Sequence, residues 1–188
     1  MERLQVKGFA GISNADIQIK QFTIFIGHQA SGKSICAKLI YYFRQILSNM
    51  ALDVSSGSSR TDIKKKHRID FARYFPEVAW GREAFEISYC LYDFRVSIKS
   101  KMNKNRNSIT ITYSEAYDKM LESLRREVKK YQDDEIEGFF RVIGVDGEER
   151  YIDVSPNNLM RELAKKILHE DYSNTNYFVP AGRSFFQH

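Results

Sequence analysis

Over the first twenty residues, apolar positions alternate with polar ones, Ile17 and Ile19 standing against Asp16, Gln18 and Lys20. A period of two predicts strands over residues 4–9 and 15–19, the second half exposed, joined by a turn at Gly11-Ile12-Ser13-Asn14. Residues 22–26 (FTIFI) are more uniformly apolar, which predicts a strand buried within a sheet. The spacing then turns helical. Ile35, Leu39, Ile40, Phe43, Ile46 and Leu47 form one stripe, so a helix is expected to about Met50. Residues 55–59 (SSGSS) read as a flexible connection into the basic run Lys64-Lys65-Lys66-His67-Arg68, whose plainest role is a solvated face. A short helix over 69–75, closed by Pro76, follows.

Alternation returns at residues 83–100, with Phe85, Ile87, Tyr89 and Leu91 on one face and Phe94, Val96 and Ile98 on another. With residues 108–113 (SITITY) these predict an antiparallel meander of two or three strands. Its turn, 99–107, carries Lys99, Lys101, Lys104 and Arg106. Such a tip can grip a phosphate backbone and is equally what an exposed loop looks like. Residues 114–132 predict an amphipathic helix with Tyr117, Met120, Leu121, Leu124, Val128 and Tyr131 on its packing stripe. A hairpin is expected from 139–145 and 151–154 around Asp146-Gly147. Ser155-Pro156 opens a further helix to about His169, and YFVPAGRS (177–184) reads as a strand meeting a break.

Chemistry concentrates in residues 27–34, GHQASGKS, which fit G-x-x-x-x-G-K-[ST] between an apolar run and a helix. Gly27 permits the turn off the strand, and Gly32 lets backbone approach a phosphate. Backbone N–H groups of Gly27, His28, Gln29, Ala30, Ser31, Gly32, Lys33, Ser34 and Ile35 are the expected nucleotide cradle. Lys33 is the expected partner of the β- and γ-phosphates and Ser34 the Mg²⁺ ligand, while the His28 side chain is expected to be idle. ATP with Mg²⁺ is therefore the expected ligand, although no residue names adenine over guanine.

Composition changes this picture little. The 188 residues carry 29 basic and 24 acidic side chains, a net charge of +5 that permits a nucleic-acid partner without arguing for one. Cys36 and Cys90 fall in a predicted helix and strand, where apolar packing is the plain role. The amino terminus lacks a signal-peptide core, and no apolar run approaches the roughly 20 residues that span a bilayer. The expectation is a cytoplasmic protein with no membrane partner.

The strand pair running into FTIFIGHQASGKS, the meander FEISYCLYDFRVSI and the closing YFVPAGRS resemble the amino-terminal lobe of ABC-type P-loop ATPases of the SMC, RecF and OLD branch. Gln29 and Ala30 stand where that branch often has Asn and Gly. The resemblance implies an α/β P-loop NTPase lobe with an antiparallel β-meander subdomain and flanking helices. All of 1–188 would be that one incomplete lobe: strand pair, loop and first helix to 50, linker and basic insertion 51–82, meander 83–113, and helical segments with the terminal strand 114–188. It implies ATP acting as a dimerisation switch, with a homodimer, an effector protein or DNA as partners, and service in DNA metabolism or defence against phage. The family's LSGG-like signature has no counterpart here. Its Walker B strand, whose Asp helps hold Mg²⁺ and whose Glu activates water, finds only the outlines 142–146, ending at Asp146, and 89–93, ending at Asp93. Gln187 falls near the family's Q-loop glutamine, and Arg183 could either meet phosphate or end its strand with a salt bridge. The chain is thus expected to be a piece of a longer ATP hydrolase. Two rivals remain open: a small P-loop kinase with residues 60–68 as its basic lid, and a DNA-binding module in which nucleotide is structural.

Overall fold

The computed structural model describes residues 1–153 apart from 82, 104–105, 133–138 and 144–148. Strands β1 (Glu2–Phe9) and β2 (Ile12–Ile19) form a hairpin whose turn is the two residues Ala10-Gly11. Both have positive φ, 50° and 81°, the backbone that a two-residue turn needs to match the twist of its strands. The turn is therefore shorter and earlier than the expected 11–14, and Ile12 belongs to β2. After the loop come α1 (Lys33–Ser48), α2 (Met50–Ser55) and α3 (Arg60–Tyr74), then β3 (Glu86–Leu91), β4 (Phe94–Asn103), β5 (Arg106–Tyr113) and α4 (Glu115–Gln132). β6 (Phe139–Ile143) and β7 (Glu149–Asp153) pair as the expected hairpin.

The amino-terminal hairpin and the meander are one sheet, not two units. β3 pairs antiparallel with β1, giving the order β2-β1-β3-β4-β5. One face is apolar: Leu4, Val6, Ile87, Tyr89, Val96, Ile98 and Ile111 are buried under the helices. The other face carries cross-strand polar pairs, Arg3 with Asp16 and Ser97 with Ser88. At the core Phe43 of α1 stacks on Tyr89 with centroids 5.1 Å apart, and Phe9, Phe71, Phe75, Trp80 and Phe85 cluster at the other end. Burial of such aromatic side chains supplies most of the packing energy.

Helix α1 lies along β1. Its first turn packs by Ile12, and Arg44 reaches Glu2 at the far end with bonds of 2.8 and 2.6 Å. The basic run lies within α3. Ser59 caps α3 by accepting from the Asp62 amide at 3.1 Å, while the Asp62 carboxylate accepts from the Ser59 amide at 3.2 Å. This capping box starts the helix nine residues before the expected 69. Buried Ile63, His67 and Phe71 lie one turn apart and turn the basic residues outward.

The largest departure is at residues 22–26. Among the described residues no strand pairs with them. Phe22, Ile24 and Ile26 are 81, 64 and 89% exposed, and only Phe25 is half-buried against the core. A strand needs ladder partners at its edges and cover on its faces. The five-stranded sheet supplies neither, because β1 already carries β2 and β3 on its two edges. The expected helix over 155–169, the strand 177–184, Asp146, Arg183 and Gln187 lie outside the described residues.

Candidate functional site

The loop after residue 26 is built from local backbone constraints. Gly32 has φ 83° and is the N-cap of α1, so the chain turns into the helix through a left-handed residue. A Cβ there would stand 2.5 Å from Ile12 Cγ1. Gly32 is thus needed for packing as well as for approach to a phosphate. The partner responsible, Ile12, lies twenty residues earlier and carries no motif signal. Ala30 also adopts a positive φ, 61°. An L-residue pays roughly 1–2 kcal/mol for that conformation, so the substitution for glycine noted in the sequence leaves a strained position.

Lys33 folds back over the loop. Its Nζ donates to the Gly27 carbonyl at 2.7 Å, to the His28 carbonyl and to Ser31 Oγ at 3.1 Å. All three ammonium donors are thereby met by loop oxygens. A Cβ on Gly27 would lie 3.1 Å from Ser31 Oγ and 3.8 Å from Lys33 Cδ, so the Gly27 position is part of the same enclosure. Gln29 and the His28 ring are exposed beside it.

The first turn of α1 carries no side-chain cap and no acidic residue. Its leading amides and its dipole therefore face the loop uncompensated, which favours an anion. Ser34 is exposed in that turn, whereas Ile35 packs against the core. A hydroxyl is a hard oxygen donor, and Mg²⁺ takes few protein ligands when phosphates and waters complete its octahedron. The residues present fit a Mg²⁺–phosphate group. Beneath, burial pushes the Cys36 thiol up, which leaves it an inert packing group.

The other sequence candidates are not brought here. Asp93 sits in the β3–β4 turn, at the Glu2 end of the sheet, since Glu2 pairs with Leu91 and Lys7 with Glu86. Ile12 and the loop are at the opposite end, roughly 25 Å away at about 3.4 Å per strand residue. Asp93 is no metal ligand for this loop. Arg60 is held by Asp118 through bonds of 2.6 to 2.9 Å, which occupies the first residue of the supposed kinase lid. The sheet is antiparallel throughout, unlike the alternating βαβ rhythm that the kinase reading needs. The expected turn 99–107 is mostly strand, since β4 runs to Asn103 and β5 starts at Arg106, and Lys99 lies within β4, where it pairs with Glu86 at 3.0 Å.

Among the described residues no helix is long and apolar enough to cross a membrane, and no group of three His, Cys, Asp or Glu side chains could hold a metal. The model of the AAA ATPase domain family matches residues 1–177. No curated protein and no solved structure matches the chain.

Proposed function

This chain belongs to the AAA ATPase domain family, whose members bind ATP, and from that premise we propose that it is the ATP-binding lobe of an SMC-, RecF- or OLD-like ATPase. The observation that carries the reading is the loop itself, where Lys33, Gly27, Ser31 and the uncapped start of α1 converge on one point. On binding, the Lys33 ammonium exchanges the loop carbonyls for β- and γ-phosphate oxygens. The amides of residues 29–34 would take the remaining phosphate oxygens. Ser34 would hold the Mg²⁺ ion, which would supply positive charge to offset that of the phosphates.

Hydrolysis needs more groups than this loop supplies. No LSGG-like run occurs in the 188 residues. The reading is that this lobe binds nucleotide and that turnover requires a completing sheet and a second lobe. The unpaired segment 22–26 supports it, since three exposed apolar side chains in alternation are a surface that a neighbouring element can cover. A homodimer closed by ATP, with an effector protein or DNA downstream, follows from the family likeness and belongs to this proposal.

The test is ATP affinity measured with and without Mg²⁺. In the wild-type chain the metal should tighten binding about tenfold, the worth of one charge-assisted contact. Ser34→Ala should bind metal-free ATP normally and lose that gain. An undiminished metal effect in Ser34→Ala removes Ser34 from the site.

A further inference from the structure

Helix α3 carries six Lys or Arg residues, Arg60, Lys64, Lys65, Lys66, Arg68 and Arg73, against Asp62 and Asp70. That difference of four nearly equals the +5 of the whole chain. Part of this charge is turned toward α1, where the two helices enclose a cavity of about 460 Å³. None of the residues from Gly27 to Ser34 lines it. Along the helix axis from Lys33, the lining runs from Lys38 at roughly 7.5 Å to Asn49 at roughly 24 Å.

Three cations reach the cavity. Lys38 projects from α1, and Lys66 and Arg73 project from α3. Lys66 is anchored by the buried carboxylate of Asp53. The Lys38 ammonium stands 5.5 Å from the Phe75 ring centroid and 5.9 Å from that of Tyr74, held by aromatic faces and not by a carboxylate. Among the described residues neither Lys38 nor Arg73 forms an ion pair. The cavity's one carboxylate is Asp70, and Gln45 and Asn49 add amide groups.

Three cations on two facing helices, two of them without a counter-charge, are an anion site, and for Lys38 and Lys66 the ordering cost is already met by the fold. The volume lies in the range of small-molecule pockets. Asp70 disfavours a run of phosphates but accepts from a hydroxyl. We propose that the α1–α3 cavity binds a small phosphate monoester bearing hydroxyl groups, of the size of a sugar phosphate or nucleoside monophosphate, at a site separate from the P-loop.

The test uses the full chain carrying Lys33→Ala, so that phosphate binding at the P-loop is weakened at least about tenfold and failure here leaves the ATP reading untouched. Amide NMR spectra are followed during titration with inorganic phosphate, with AMP and with a 15-nucleotide single-stranded DNA. Saturable shifts along α1 and α3 with phosphate and AMP are expected. Arg73→Gln, at an exposed position, and separately Lys38→Gln should each weaken AMP about tenfold, with spectra otherwise showing the same fold. No saturable response to phosphate or AMP overturns the proposal, as does AMP binding indifferent to both substitutions. Response to DNA alone also overturns it, in favour of a polyanion surface on α3.

Discussion

His67 makes the stability of this fold depend on pH in a window where most proteins are indifferent. The ring is buried between four elements. Its Nδ1 is 2.8 Å from the Tyr113 hydroxyl of β5, its backbone carbonyl accepts from Tyr42 of α1 at 2.9 Å, and its Nε2 is 3.9 Å from Asp53 Oδ2 of α2. Tyr117 of α4 stacks on Tyr113, and the Arg60–Asp118 pair lies beyond them. Neither Nε2 nor Asp53 Oδ2 has a hydrogen-bond partner among the described residues. Burial, and then the neighbouring Lys66 ammonium, lower the His67 pKa from 6.5 to about 4. The Asp53 carboxylate does not reverse this, because Lys66 already occupies its other oxygen. A histidine whose pKa falls on folding binds fewer protons in the native state than in the unfolded one. Its contribution is therefore whole above about pH 6.5 and is lost as the pH falls toward 4. From pH 7 to pH 5 the linkage amounts to about 2 kcal/mol. Urea denaturation followed by Trp80, the one tryptophan and a buried neighbour of Phe71, reads this directly. His67→Gln keeps a polar group for Tyr113 but has no proton to take up, so its stability should change far less between the two pH values. Equal losses in the two proteins refute the argument.

Two further outcomes test the loop and its strand. Ala30→Gly should stabilise the chain by about 1 kcal/mol in urea denaturation, because it relieves the positive φ at that position. A loss of stability means that the residue is not held in the left-handed region. Ile24→Ser should change the stability of this chain by less than about 0.5 kcal/mol, as expected for an exposed site, and should lower its tendency to self-associate in light scattering. A loss of 2 kcal/mol or more means that the residues 22–26 are covered.

The phosphate loop was legible because its chemistry is local: eight consecutive residues hold both its turn glycines and its lysine. The strands of the meander were equally plain, since Ile87, Tyr89 and Leu91 alternate where one face is buried and the other is not. What the sequence hid depends on pairing across long separations. Nothing in residues 2–7 announces that β1 will take β3 as its second partner, which turns two expected units into one sheet. Residues 22–26 have the composition of a buried strand, yet burial is a property of neighbours, and the described residues cover only Phe25 in part. Helix α3 was missed over its first half because its lysines mask the Ile63, His67 and Phe71 spacing, although Ser59 and Asp62 carried the start signal.

The central claim is that Gly27 to Ser34 hold a nucleotide phosphate through Lys33. Calorimetric titration of the chain with Mg-ATP, beside Lys33→Ala and with phosphate release followed in the same samples, tests it most directly. The account predicts saturable binding by the wild-type chain, at least tenfold weaker binding by Lys33→Ala, and no turnover by either. Binding of equal strength in the two proteins would contradict it.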